Sequence, residues 1–372
     1  MPSRRSHPKS HHGCDQCKLR RIKCDEVHPV CGSCRRKNLA CVFHSVGPFP
    51  APDPPALATG PIIQHDRASL LPLQHLELMH HWHTSIVESL SDAKPLQDVI
   101  RVAMPQEGLR SPFLMHSVLA VAAVNLAQST TAGCRQRYIE AAMTHHNESL
   151  TLCAPFVNNI TRQNCHALFA FSCLLPVFVF ASQTPQLSPR LQSLSDVIET
   201  LKLIRGSASV VDQAKPWIEE GPMHPLLRVG KFHHSSEIKK CHARSLSAKL
   251  EALARDLSVS SRAGKSSAAS QTPCEALQQL QHLLGIFINT GDPRAVMAWP
   301  VVVDASYFDL LLQKQRLAVL TFGLFGSALE ILSGRWWLEG TGPRFVALAV
   351  DDLSPPDREI LSSSSLQLDH NS

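Results

Sequence analysis

The chain has 372 residues, enough for at least one large core, and its 44% hydrophobic and 18% charged composition is that of an ordinary globular protein, which tells against disorder and fibrous classes. The formal charge of +5 is unevenly spread: residues 1–44 carry ten Lys/Arg against three Asp/Glu, a formal +7, leaving about −2 for the rest. An anionic partner is therefore expected to meet the N-terminus, because a concentrated basic patch reads as a nucleic-acid or membrane footprint where a mild average does not.

The opening "MPSRRSHPKSHHG", residues 1–13, reads as a basic tail and has no apolar run of the secretory kind. A reducing compartment is expected, so the sequons at Asn147 and Asn159 read as accidental. Next come six of the twelve cysteines, Cys14, Cys17, Cys24, Cys31, Cys34 and Cys41, in two C-x2-C-x6-C triplets with identical spacing. A disulfide framework is disfavoured in a reducing compartment. A single four-cysteine zinc site would strand two regularly placed thiols. Two zinc ions want eight ligand positions, and six thiolates fill them only if two bridge both metals. Each C-x2-C should sit on a tight turn leading into a short helix, with the third cysteine returning from its far end and Pro29 reversing the chain between the halves. Lys18, Arg20, Arg21 and Lys23 then fall where a short helix would present them to phosphates or to the major groove.

These first 44 residues resemble the fungal six-cysteine binuclear zinc cluster family of transcription regulators, whose motif C-x2-C-x6-C-x6-C-x2-C-x6-C they match throughout. The resemblance implies a cluster domain over 14–44, two zinc ions bridged by the first and fourth cysteines, Cys14 and Cys31, and recognition of CG-containing triplets such as CGG in double-stranded DNA. It makes Arg21, with Arg20 beside it, the candidate base reader, as suits arginine on guanine. Lys18, Lys23, Arg35, Arg36 and Lys37 are the candidate phosphate contacts. Six thiolates and two zinc ions sum to about −2, which the basic residues also offset.

Residues 45–70, with Pro48, Pro50, Pro52, Pro54, Pro55 and Pro61, read as a semi-rigid linker. No heptad run follows, so the chain is expected to bind DNA as a monomer or as a homodimer without a coiled coil. From residue 71 to 357 the pattern is helical. "LELMHHWHTSIVESL" repeats Leu76, Met79, His83, Ile86, Val87 and Leu90; "SPFLMHSVLAVAAVNLA" offers Ser111 as cap and Pro112 at the first helical position. "ALFAFSCLLPVFVFA", 167–181, is shorter than the roughly 20 residues of a membrane span and holds Pro176, so a buried, kinked helix is expected and no transmembrane segment. "LSAKLEALARDL" places Leu246, Leu250, Leu253 and Leu257 on one stripe, residues 258–273 read as a small-residue loop, and 358–372 as a polar tail. Strand-like alternation is scarce. The predicted class is mostly α, an all-α regulatory domain behind a small zinc module.

His80, His81 and His83, and the pairs His145/His146 and His233/His234, read as packing or surface residues. Cys134, Cys153, Cys165, Cys173, Cys241 and Cys274 lack ligand spacing and read as small core residues; Trp336 and Trp337 read as core anchors. No G-x-S-x-G, H-E-x-x-H or phosphate-binding glycine loop appears, and no enzyme is expected.

Several of these helical stretches, with "RYIEAAMTHHNESL", "NCHALFAFSCLL" and "RWWLEGTG", resemble the C-terminal domain of the sterol-uptake control proteins, a branch of the same family. The resemblance implies a helical bundle with a pocket for a small apolar effector whose occupancy sets activity, and a nuclear protein that shuttles with the cytoplasm. It leaves two functional readings: a regulator of a secondary-metabolite gene cluster, or a sterol-responsive regulator of sterol genes. Readings from other classes are a zinc-stabilised interaction adaptor and a small-molecule-binding protein.

Overall fold

The computed structural model describes residues 13–43 and 72–362, apart from 28, 38, 184–186, 188–192, 233, 235–236, 261–270 and 333. The basic tail, the proline-rich linker, the centre of the 258–273 loop and the end of the polar tail lie outside the described residues. The chain divides into two compact units, Met1–Leu70 and Leu71–Ser372. Among the described residues every regular element is a helix and none is a strand, the mostly-α class that the sequence predicts.

The larger unit is built on two hydrophobic helices. Pro112–Ser129 packs chiefly on Ala132–Val157 and on Cys165–Ala181, the helix that contains Pro176. Arg316–Ile331 is apolar on all sides, as a helix enclosed by others must be, and buries Leu317 through Leu329 without interruption. Around it lie Glu237–Ser260, Gln271–Thr290, Ala305–Leu312, Thr341–Val350 and Pro355–Ser362. Pro112–Ser129 is long and apolar enough to cross a membrane by length and composition, but 61% of it is buried against the bundle.

Large aromatics fix the core where their polar edges find backbone acceptors. Trp82 Nε1 donates to Ile100 O at 3.0 Å, Trp299 Nε1 to Ala276 O at 2.9 Å, and Tyr307 OH to Ala318 O at 2.8 Å. Each then buries its ring without stranding a donor, and truncation of such a side chain costs about 3–5 kcal/mol. The Thr341–Val350 helix meets Arg316–Ile331 through paired glycines: a Cβ on Gly342 would lie 2.6 Å from Glu330 N, and one on Gly326 would lie 2.9 Å from Phe345 Cβ. The helix backbones can touch there only because both residues lack side chains.

The structure corrects several expectations. Leu73–His81 continues into a π-helical turn, Trp82–Ile86, before Val87–Leu90, and this extra residue shifts the buried stripe to Leu78, Trp82, Ile86 and Val87. Leu76 is exposed. Ser111 is the N-cap residue as expected, but its hydroxyl caps nothing. Leu246, Leu250 and Leu253 are buried, whereas the side chain of Leu257 lies outside the described residues. Helix runs to Ser260 and resumes at Gln271, so the loop is shorter at both ends than 258–273. The Pro355–Ser362 helix crosses the expected boundary at 357, because Asp357 pairs with Arg316 and Leu361 reaches the core. Cys134 and Cys241 are exposed, not core residues.

Candidate metal centre and nucleic-acid interface

Each cysteine triplet opens a short helix, Asp15–Leu19 after Cys14 and Gly32–Arg35 after Cys31. Cys14 and Cys31 are the N-cap residues, with extended backbone at ψ 156° and 150°. That position places a thiol at the positive end of a helix, where negative charge is favoured. The third cysteine of each half folds back on the first: Cys14 N–H points to Cys24 Sγ at 3.5 Å, and Cys31 N–H to Cys41 Sγ at 3.3 Å.

The residue after each third cysteine closes the opposite helix. Val42 O accepts from Asp15 N–H at 2.9 Å, and the Asp25 carboxylate accepts from Gly32 N–H at 2.9 and 3.1 Å. The two halves are thus related by an approximate exchange, with a backbone carbonyl in one place and a side chain in the other. Gly32 has no side chain to obstruct this contact; a Cβ there would fall 2.5 Å from Asp25 Oδ2.

The six thiols converge into two groups of four, Cys14/Cys17/Cys24/Cys31 and Cys14/Cys31/Cys34/Cys41, with all sulfurs in each group within 4.8 Å of one another. Cys14 and Cys31 belong to both. Sγ–Sγ separations of 3.7 Å recur at Cys14–Cys31, Cys14–Cys34 and Cys17–Cys31. A disulfide would need about 2.05 Å. Four thiolates around zinc at roughly 2.3 Å stand about 3.8 Å apart at the corners of a tetrahedron. The donor set and its spacing fit two zinc ions that share two sulfurs.

Burial raises every one of these thiols, and hydrogen bonds then separate them. Cys14 and Cys31 end below the ordinary thiol range, Cys31 at about 6, because backbone N–H groups and neighbouring thiols donate to them. Cys17 is pushed up to about 12, and Cys24, Cys34 and Cys41 are also raised. The two sulfurs common to both groups are therefore the ones whose anionic form the fold favours most.

The cations lie around this centre. Lys18, Arg21, Lys23, Arg35, Arg36 and Lys37 are exposed. Arg20 is half-buried, and its Nη1 is buried without a hydrogen-bond partner among the described residues. Arg21 adopts φ +53° just past the first helix, a left-handed residue that ends the helix and turns the chain toward Cys24. Leu19, between Lys18 and Arg20 in the sequence, is 79% exposed, which its apolar character alone does not signal.

Residues 12–46 match the family model described as the fungal Zn(2)-Cys(6) binuclear cluster domain. The N-terminal module is a fungal zinc cluster domain. Domains of this family bind two zinc ions. The chain that carries the zinc cluster domain is 30% identical over 224 residues to the Zn(2)-C6 fungal-type transcription factor afumD of Aspergillus fumigatus, covering 57% of this chain and 56% of that protein. It is 24% identical over 427 aligned positions to a Zn(2)-C6 fungal-type transcription factor of Gibberella zeae, covering 95% of this chain and 84% of the relative. Sterol uptake control protein 2 of Candida albicans is 55% identical over 40 residues, 11% of this chain and 6% of that one. The chain thus spans little more than half of the Aspergillus relative. The Aspergillus and Gibberella relatives bear the names of transcription factors, a class without enzymes.

Other residues singled out in the sequence have ordinary partners. His81 Nε2 meets Asn125 Oδ1 at 2.7 Å, and His146 stacks on Phe178 at 4.0 Å. His145 is buried against His116, Nδ1 to Nδ1 at 3.0 Å, and burial with two neighbouring imidazoles draws its pKa down to about 4. His80 is exposed and joins no metal-ligating group among the described residues.

Proposed function

We propose that the protein is a nuclear, sequence-specific DNA-binding regulator of transcription that controls a secondary-metabolite gene cluster. Cys14, Cys17, Cys24, Cys31, Cys34 and Cys41 hold two zinc ions, with Cys14 and Cys31 shared, and the cluster is the rigid base from which the cations are presented. The observation that carries the reading is the pair of interlocked four-thiol groups ringed by exposed Lys18, Arg21, Lys23, Arg35, Arg36 and Lys37. Cations fixed on so small a scaffold neutralise phosphates, and arginine among them reads guanine edges in a CG-containing half-site. Arg21 is the base reader. Arg20, with part of its guanidinium buried, serves as its neighbour and support.

The helical unit receives a small apolar effector and conveys its presence to the transcription machinery, and shuttling between cytoplasm and nucleus belongs to the same reading. A homodimer would have to form without a coiled coil. The Gibberella zeae factor matches over 95% of the chain and the Aspergillus fumigatus factor over 57%, against 43% for sterol uptake control protein 2 of Saccharomyces cerevisiae and 11% for that of Candida albicans, and this balance supports a pathway regulator over a sterol regulator. Genome-wide occupancy of the tagged protein in its own host tests the choice. Peaks within one contiguous biosynthetic cluster support the proposal, whereas peaks at sterol-synthesis and uptake promoters would replace it. Promoter binding that survives alanine at Lys18, Arg20, Arg21 and Lys23 would refute the assigned interface and favour an adaptor.

A further inference from the structure

We infer that a cavity in the helical unit beside Trp337 and His234 binds a compact, neutral, hydroxyl-bearing apolar molecule. The cavity measures about 340 Å³ and is walled by Leu96, Ile100, Met104, Phe169, Val177 and Met297. It stands near the lower end of the roughly 300–1,000 Å³ typical of small-molecule sites, which suits one or two fused rings better than an extended lipid.

Two residues that line this apolar space each carry a buried polar atom with no hydrogen-bond partner among the described residues. Trp337 is 6% exposed and its Nε1 is unpaired, although Trp82, Trp299 and the adjacent Trp336 all place their indole N–H on an acceptor. His234 is 5% exposed, and its Nε2 is likewise unpaired. Its position is firmly set. The backbone N–H of His234 donates to Thr290 O at 2.7 Å, its Nδ1 pairs with Asp92, and Gly291, at φ +74°, leaves room for the carbonyl of His234, which a Cβ would approach to 2.6 Å. The nearest carboxylate to Nε2 is Asp292 Oδ1 at 3.9 Å, beyond a hydrogen bond. Stranding one such group in an apolar wall is unfavourable, and two in one cavity point to a ligand that completes them.

The chemistry of the head group follows from the neighbours. An indole N–H requires an acceptor, and an imidazole nitrogen takes a donor or an acceptor according to its protonation. A hydroxyl supplies both. A carboxylate is disfavoured, because Asp92 and Asp292 flank His234. Arg294 is committed to Asp292 and to the carbonyls of Leu226 and Arg228. Cys173, in the same wall, is held as a neutral thiol by burial, which pushes it up to about 12. The regulator reading enters only when this molecule is called an effector.

The test titrates the zinc-loaded full chain with 2-naphthol, naphthalene and 2-naphthoate, by calorimetry and by the shift in thermal midpoint. 2-Naphthol should bind tightest, naphthalene about tenfold more weakly for want of the hydrogen bonds, and 2-naphthoate more weakly than 2-naphthol. Trp337→Phe keeps an aromatic side chain but removes the N–H donor, so it should abolish most of the preference for naphthol over naphthalene. Cys173→Phe should fill the cavity and abolish binding of all three while cooperative unfolding persists; should it not fold, Trp337→Phe carries the test alone. Equal affinity for naphthol and naphthalene, an undiminished preference in Trp337→Phe, or no binding of any probe would overturn the inference. Binding with the expected pattern that leaves promoter affinity unchanged would uphold the site and reject its role as an effector site.

Discussion

Asp25 and Gly32 offer a sharp test of how the zinc module is built, because one contact couples the two halves. Asp25, just past the first triplet, accepts the Gly32 N–H that opens the second helix, at 2.9 and 3.1 Å. Removing a side-chain cap costs about 0.5–2 kcal/mol. In a module whose folding and metal binding are one equilibrium, a cost of about 1 kcal/mol emerges as a roughly fivefold loss of zinc affinity. Asp25→Ala should therefore release zinc to a competing chelator at about one-fifth of the wild-type chelator excess. Gly32→Ala should incur a similar loss by a different route, since its Cβ would fall 2.5 Å from Asp25 Oδ2 and evict the carboxylate. In the Asp25→Ala background there is nothing left to evict, and Gly32→Ala should be neutral or slightly favourable, as alanine is the better helix former. The assay is zinc transfer to a chromophoric chelator for the four members of this double-mutant cycle. Additive losses, or an Asp25→Ala protein that holds zinc like the wild type, would refute the reasoning.

Native mass spectrometry should show that Cys14→Ser or Cys31→Ser loses both zinc ions, whereas Cys17→Ser or Cys41→Ser, each outside one of the two thiol groups, retains at most a minor population with one. Single alanine substitutions at Lys18, Lys23 or Arg36 should weaken binding evenly across DNA sequences and lower the salt dependence of log K by about 1 each, measured by fluorescence anisotropy over a salt series. Asp357 is buried on Arg316, and hydrogen bonding to that guanidinium holds its carboxyl below the usual range despite burial. Its folded pKa is therefore below its unfolded value, so the contribution is complete above about pH 4 and disappears as pH falls through the folded pKa. Arg316→Gln should cost about 1–3 kcal/mol at neutral pH and flatten the acid limb of a thermal-stability profile. Gly342→Ala should cost at least 1–3 kcal/mol by forcing two helix backbones apart, seen as a fall in thermal midpoint with the zinc content unchanged.

The zinc module was largely legible because its information is local: cysteine spacing fixes which sulfurs can meet, and basic residues between them have little else to do. What spacing does not encode is the cross-capping by Asp25 and Val42, or the partial burial of Arg20, since both depend on how one half folds against the other. In the helical unit, periodicity located helices but missed the register of the first. The π turn at Trp82–Ile86 adds one residue to the repeat, so Leu76, on the expected stripe, faces outward while Leu78 and Trp82 are enclosed. The cavity was illegible for a related reason. Its polar pair comes from residues 103 positions apart, His234 and Trp337, and neither carries a local motif. In the sequence both read as packing or surface residues, and only the absence of a partner among the described residues, which is a property of the folded chain, sets them apart from that reading.

On the proposed sharing of Cys14 and Cys31 by both ions, the module's response to metal supply would be a threshold. Removal of one ion would leave two sulfurs with half their counter-charge and loosen the clamp on the remaining ion, so a singly loaded form would be the least stable of the three. As available zinc declines, the population would divide into fully loaded and empty molecules, with few between. The occupancy of a promoter would then decline through the number of competent copies, and each surviving copy would bind with undiminished strength.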